Sequence, residues 1–145
     1  MSAEQIFSIA NFASLCCWLL LILLPGKKWV SHVVAGVAVP AAFAALYSVL
    51  IAIHFAGSEG GFSTLPEVAL LFSNPWLLLA GWIHYLAFDL LVGGWEVRDA
   101  RQRGIRHIFV VPCLILTFLF GPAGWLLYLG VRTQVHGSGQ VPVLD

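Results

Sequence analysis

Two ionisable residues, His84 and Asp89, lie inside an apolar run from Trp76 to Val92. An ionisable group in such a segment is costly, so each one needs a specific reason to be there. An unpaired Asp89 is expected to take up a proton. A carboxyl and an imidazole with shifted proton affinities can serve as a general acid and a general base. The alternative for each residue is a structural hydrogen bond between helices.

The five-residue spacing of His84 and Asp89 sets how they can cooperate. At 1.5 Å per residue, Asp89 is roughly 20 Å and His84 roughly 12 Å from the start of a helix over this run. The two side chains diverge by more than a quarter-turn, so we expect them to flank one pocket without touching. We predict Asp89 as the acid and His84 as the base, with the roles open to exchange.

The helical pattern is predicted to continue past Val92 as a cytoplasmic extension over residues 93–103. Residues seven apart share a helical face, which places Glu96 and Arg103 in line with Asp89. For Glu96 and Asp99, a solvated surface and a continuation of the functional face both stay open. The candidate substrate-binding residues are Trp82, Tyr85, Phe88, Trp95, Glu96, Asp99, Arg106, His107 and Asn11.

Histidine and cysteine spacing disfavours metal chemistry. No HxxxH, HxxHH or CxxC pattern occurs, and His32 with His107 is the only pair expected near one depth for a haem. We therefore predict no metal site and no cofactor. His107 is expected at the cytoplasmic interface, where an imidazole can exchange protons. The three cysteines, Cys16, Cys17 and Cys113, are interpreted as small apolar residues.

The composition indicates the solvent around these residues. Of the 145 residues, 60% are hydrophobic and 10% are charged, far below the quarter or so typical of soluble domains. The net charge of zero gives no reason to expect a nucleic-acid partner. The start of the chain lacks the basic residues of a signal peptide. We expect an integral membrane protein, in a bacterial inner membrane, with lipids as partners and a homo-oligomer left open.

Four apolar stretches are long enough to cross about 30 Å of hydrocarbon. They predict an all-α, four-helix transmembrane bundle in one domain over residues 1–132. The last stretch holds Gly121-Pro122-Ala123-Gly124, where we expect a break or a bend. A short helix, Pro66–Phe72, is expected at the interface between spans two and three, and residues 133–145 are expected to form a flexible tail. The predicted spans are Ile6–Leu24, Val30–Phe55, Trp76–Val92 and Ile108–Val131.

The cations set the predicted orientation. Lys27 and Lys28 follow the first span, four arginines between 98 and 106 follow the third, and only Arg132 follows the fourth. Cytoplasmic loops are enriched in Lys and Arg, so the six cations predict cytoplasmic first and third loops. Both termini are then expected on the non-cytoplasmic side.

The stretch LFSNPWLLLAGWIHYLAFD (residues 71–89) resembles the ABA4-like family, the relatives of the plant neoxanthin-forming membrane protein. Arg106-His107 and the run LFGPAG at 119–124 are similar too, and the likeness covers essentially the whole chain. Its most specific part combines Trp82, His84, Leu86 and Asp89. The resemblance implies a four-helix membrane protein linked to carotenoids, because the plant members are needed to convert an epoxy-carotenoid into an allenic one. It supplies no settled catalytic residues.

This resemblance leads to our functional hypothesis, a membrane isomerase that acts on a carotenoid or related isoprenoid. Opening an epoxide to an allenic alcohol needs an acid and a base and has no net redox change. A non-catalytic pigment-binding or accessory subunit and a small proton-coupled transporter stay as alternatives. The exact substrate is left open, because the third loop is richer in arginine than the plant pattern.

Overall fold

A computed structural model describes residues 1–136, whose regular elements are all helices joined by short loops, with no strand among them. Residues 133–136 of the predicted tail belong to the last helix, and the rest of that tail lies outside the described residues. A π-helical segment, Val30–Ala38, leads directly into the second α-helix. The α-helices are α1 (Ala3–Leu23), α2 (Val39–His54), α3 (Leu65–Leu71), α4 (Pro75–Gln102), α5 (His107–Phe120) and α6 (Pro122–His136).

Three helices in the described part of the chain are long and apolar enough to cross a membrane. They are Ala3–Leu23, Val30–His54 and Pro75–Gln102, so the first three predicted spans are recovered as helices. The third begins at Pro75, one residue before the predicted Trp76, and Asn74 Oδ1 accepts a 2.9 Å hydrogen bond from the Trp76 amide. An asparagine cap followed by proline fixes that start, because proline has no amide to leave unsatisfied at the first turn.

The second span changes its helical register near Pro40. The π-helical segment ends at Ala38, and the amide of Val39 donates to the carbonyl of Val34. Pro40 has no amide to continue the ladder, which is where a change of register is expected. Within the π-helical segment, the carbonyl oxygen of Ser31 accepts a hydrogen bond from the Arg98 guanidinium of α4. The segment is thereby tied to α4 by a polar contact as well as by packing.

Helix α4 is the central element of the fold. Thirteen of its 28 residues are buried, against five of 21 in α1. Its glycines allow the neighbouring helices to approach closely. A β-carbon at Gly93 would lie 2.5 Å from the Trp18 ring of α1, and one at Gly94 would lie 3.3 Å from the carbonyl oxygen of Ser31. The helix that carries the candidate residues is therefore enclosed on several sides.

Helices α5 and α6 form a hairpin rather than one continuous span. Thr117 of α5 is hydrogen-bonded to Glu96 of α4. Gly121 lies against Asp89, which precedes Glu96 by seven residues in α4. After Gly121 the chain turns back, because Tyr128 of α6 is hydrogen-bonded to Asp99. Gly121 has a φ of 40°, a conformation that favours glycine. The predicted fourth span over residues 108–131 is thus not confirmed, and the expected break at 121–124 is a reversal of direction.

The reversal brings all seven lysines and arginines to one end of the bundle. Arg132 pairs with Asp99 near the C-terminal end of α4, and Arg101 donates to the carbonyl of Pro25 in the loop that holds Lys27 and Lys28. The prediction of Arg132 on the opposite side from the other six cations does not agree with these contacts. The predicted placement of both termini on one side is likewise not confirmed.

Candidate functional site

Three carboxyl groups of α4 face the α5–α6 hairpin. Asp89, Glu96 and Asp99 contact Gly121, Thr117 and Tyr128, respectively. Their spacings of seven and three residues place them on one helical face, as the sequence predicted for the continuation of the Asp89 face. We call these three residues the carboxyl row. It is the largest group of acidic side chains inside the described bundle, and each member has a different environment.

Asp89 lies at the tip of the hairpin. A β-carbon at Gly121 would lie 2.7 Å from Asp89 Oδ1, so only glycine leaves room for this carboxyl group. Tyr85, one turn earlier, lies close to Asp89, and its hydroxyl donates a 3.2 Å hydrogen bond to the carbonyl of Phe118. Asp89 Oδ2 is buried without a hydrogen-bond partner in the described part of the chain. A buried carboxyl oxygen without a partner is costly and marks a candidate reactive group.

Glu96 is completely buried, with 0% of its surface exposed. Its Oε1 accepts a 3.0 Å hydrogen bond from the Thr117 hydroxyl, whereas Oε2 has no partner among residues 1–136. Gly124 of α6 makes this junction possible, because a β-carbon there would lie 2.2 Å from the Thr117 hydroxyl oxygen. Of the two interpretations left open for Glu96, the solvated surface does not agree with this burial, since the hairpin covers this part of α4.

Asp99 is the member of the carboxyl row in which both carboxyl oxygens have partners. It forms ion pairs with Arg103 at 2.9 Å and Arg132 at 3.0 Å, and its Oδ2 accepts a 2.7 Å hydrogen bond from the Tyr128 hydroxyl. Asp99 and Arg103 are four residues apart, so their ion pair lies along one face of α4. Trp95 packs edge-on against Tyr128 and under the Arg132 guanidinium. This arrangement is typical of a structural anchor, and here it holds α6 against α4.

His84 faces other neighbours than Asp89. Its ring packs against Tyr47 of α2 at 5.6 Å and against Phe88 at 4.6 Å. It lines a cavity of about 270 Å³ together with Phe72 and Gly81. Asp89, by contrast, contacts Tyr85 and the hairpin. The structure therefore does not bring His84 and Asp89 to one pocket, and the residue that it places beside Asp89 is Tyr85.

Two of the four predicted aromatic residues lie at the outer surface of the bundle. Trp82 and Phe88 are 40% and 56% exposed. Trp82 Nε1 donates a 2.8 Å hydrogen bond to Asn11 Oδ1 of α1, which fixes the orientation of the indole. Its ring lies 5.3 Å from that of Tyr85, and it borders a cavity of about 280 Å³ with Phe7 and Leu78. Trp82, Tyr85 and Asn11 are thus grouped on the side of α4 nearest α1.

Two further predicted residues lie at the cationic end. His107 Nε2 donates to the carbonyl of Ile22 at 2.9 Å and so connects α5 to the end of α1. Arg106 is exposed and precedes the first residue of α5. Neither residue contacts Asp89. Sequence reasoning missed Thr117, Tyr128 and Gly121 as parts of the site, because a reversal in the last apolar stretch has no hydropathy signature.

The described residues contain no group of three or more His, Cys, Asp or Glu side chains that could hold a metal ion. What the arrangement offers is proton chemistry in an apolar setting. Asp89 and Glu96 each have an unpartnered oxygen, and Tyr85 and Thr117 each provide a hydroxyl beside one of them.

Comparisons with known proteins identify the family. Neither the curated proteins nor the solved structures include a significant match. A family model described as ABA4-like, ABA DEFICIENT 4-like, matches residues 5–128. The match covers the carboxyl row, both hairpin partners Thr117 and Tyr128, and the turn at Gly121. The chain therefore belongs to the ABA4-like family.

Proposed function

We propose that this chain is a membrane isomerase that acts on a carotenoid or a related isoprenoid by acid–base chemistry at Asp89. The observation that carries the proposal is the buried, unpartnered Oδ2 of Asp89 beside the Tyr85 hydroxyl. A carboxyl group in that setting is able to hold or accept a proton close to an apolar substrate. The link to carotenoids rests on the ABA4-like family, whose plant members form an allenic carotenoid.

The proposed reaction moves one proton and leaves the mass of the substrate unchanged. For an epoxide, Asp89 protonates the ring oxygen while the C–O bond breaks. A base then removes a proton from the neighbouring vinylic carbon, and that electron pair forms the new C=C bond. We propose that the Tyr85 hydroxyl, held by its hydrogen bond to the Phe118 carbonyl, helps to position Asp89 beside it. His84 stays a candidate base, although a substrate would have to extend past Phe88 to reach both groups.

Trp82 and Tyr85, which we call the ligand wall, form an apolar surface next to Asp89. This surface is suited to a long, flat ligand. Trp82 and Tyr85 lie side by side, and the indole is held in place by Asn11. Both rings lie on the α1 side of α4, where a ligand can approach from the lipid. We propose this pair as the part of the binding surface that contacts the polyene, because an oriented aromatic ring gives apolar contact with little loss of side-chain freedom.

We propose that three helices cross the membrane and that the α5–α6 hairpin enters and leaves on the cytoplasmic side. The support is the gathering of all seven lysines and arginines at the end where the hairpin begins and ends. The opposite end carries Glu4, Glu59 and Glu67 and no lysine or arginine. In this arrangement α3 lies at the non-cytoplasmic interface and Asp89 lies at the depth of the hairpin tip.

The test of function is an incubation of the purified protein in lipid nanodiscs with a panel of epoxidised and unepoxidised carotenoids. We expect one substrate to be converted to a product of the same mass with a shifted absorption spectrum. The control is nanodiscs without protein. Retention of pigment without conversion would overturn the isomerase proposal in favour of a binding subunit, and the absence of both would overturn the carotenoid link.

A further inference from the structure

Glu96 is the buried group that the proposed reaction does not use. It is shielded completely from solvent, and it has no ion-pair partner in the described structure. The cations nearest to it in sequence are engaged elsewhere, because Arg98 contacts the Ser31 carbonyl and Arg101 contacts the Pro25 carbonyl. A charged carboxylate in such a place would be left uncompensated. The environment therefore favours a neutral carboxylic acid at Glu96.

The groups around Glu96 allow its carboxyl group both to bind a proton and to release it. From α5, the Thr117 hydroxyl donates to Oε1, and Cys113 is the other titratable group that faces it. From α6, the Tyr128 hydroxyl is directed to Asp99. On α4 itself, Asp89 is two turns away, roughly 10 Å along the axis, and Asp99 less than one turn. Both Glu96 and Asp89 have one oxygen without a partner, and both face the same hairpin.

An acid–base isomerisation creates a need for such a group. Each turnover leaves Asp89 without its proton and the base with an additional one. Asp89 lies at the hairpin tip, away from the cytoplasmic end, so its proton has to come back through the protein. Glu96 lies between Asp89 and that end on the same helical face.

We propose that Glu96 is a proton-relay residue that returns a proton from the cytoplasmic side to Asp89 after each turnover. The O–H bond of Glu96 breaks as the O–H bond of Asp89 forms, with ordered water carrying the proton across the gap. Solvent at the cytoplasmic end then supplies Glu96 with a new proton, and the base releases one to solvent. The inference rests on the proposed function for its purpose, but its protonation chemistry can be measured without any substrate.

Infrared spectroscopy of the purified protein in nanodiscs tests the relay directly. We expect a carbonyl band of a protonated carboxylic acid at neutral pH that is lost in Glu96→Gln and moves to higher frequency in Thr117→Val, which removes its hydrogen bond. We also expect Asp89→Asn to shift the pH at which the Glu96 band disappears. The matched control is Glu59→Gln, at an exposed position, which should leave the band unchanged.

Two results would overturn the relay. If Glu96→Gln removes no band at neutral pH, Glu96 is ionised and cannot supply a proton. If the band is present but Asp89→Asn leaves its titration unchanged, Glu96 is a structural acid only. Where the substrate is known, Glu96→Gln should slow repeated turnover by about 10-fold or more while the first turnover stays fast, a loss at the lower end of what proton-transfer groups contribute. Coupled infrared bands without any conversion of substrate would refute the isomerase, and the proton coupling between Glu96 and Asp89 would stand without a role in turnover.

Discussion

The Tyr128 hydroxyl of α6 donates a 2.7 Å hydrogen bond to Asp99 Oδ2 of α4, and this contact determines the direction of the last helix. Asp99 lies near the C-terminal end of α4, whereas Gly121, seven residues before Tyr128, lies against Asp89. A helix that continued outward from Gly121 could not reach Asp99. The hairpin therefore covers the carboxyl row along its length, which is why Glu96 is buried.

The position of Gln134 tests the hairpin. This exposed residue follows Arg132 in α6, so a cysteine there should be labelled by a membrane-impermeant maleimide only in inverted vesicles. The measurement uses a background in which Cys16, Cys17 and Cys113 are replaced by alanine. The control is Ser58→Cys in the loop after α2, which should be labelled in intact cells. Labelling of Gln134→Cys in intact cells would restore four complete spans.

The anchor around Asp99 is expected to be important for stability. Asp99→Asn leaves Arg103 and Arg132 close together without their shared carboxylate, so we predict a loss of about 1–3 kcal/mol, below the cost for a fully buried pair because both arginine side chains are partly exposed. Tyr128→Phe should cost about 1.5–3 kcal/mol through the lost hydrogen bond to a charged group. Both are measured by reversible unfolding in mixed micelles. Equal stability of Asp99→Asn and the exposed control Glu59→Gln would refute the anchor.

The contact between Gly93 and Trp18 is predicted to require glycine. A β-carbon at Gly93 would lie 2.5 Å from the Trp18 ring, so Gly93→Ala should destabilise the packing of α1 on α4 by about 1–3 kcal/mol, the typical cost of overpacking. Gly130→Ala in α6 is the matched control, because nothing lies within 4 Å of its added β-carbon. The control should be neutral or slightly stabilising. Thermal melting of both variants checks this, and equal effects would argue against the close approach.

The proposed ligand wall gives a separate prediction for binding. Asn11→Leu removes the acceptor that orients the Trp82 indole, so pigment retained after purification should fall several-fold while the fold stays intact. Trp82→Leu should have the larger effect, because it removes the ring itself. The control is Trp29→Leu, a 51% exposed tryptophan at the opposite end of the bundle. An equal loss of pigment in the control would show that the effect is not specific to the wall.

The sequence predicted the parts of this fold that depend on local signals. The short helix expected over Pro66–Phe72 is present as α3 (Leu65–Leu71), α4 begins one residue before the predicted Trp76, and the apolar runs indicated the lengths of the first two spans. Hydropathy cannot distinguish a bent helix from one that turns back, because both bury an apolar stretch. The break at Gly121 was therefore expected, but its reversal was not.

The prediction of the site was limited by the same cause. The helical spacing placed Asp89, Glu96 and Asp99 on one face, and the structure agrees. Which neighbours cover that face depends on the hairpin, so Thr117 and Tyr128 were missed. His84 was paired with Asp89 because of its depth in the span. The rings of Tyr47 and Phe88 occupy the space around it instead.

The most direct test of the proposed function compares the conversion of substrate by wild-type protein and Asp89→Asn at equal pigment occupancy. Asparagine keeps the size of the side chain but has no proton to donate as an acid, so we predict a loss of about 100-fold or more in turnover. Ser48→Ala, an exposed change on α2, should keep full activity. Conversion by Asp89→Asn at the wild-type rate would contradict the assignment of the acid–base chemistry to Asp89.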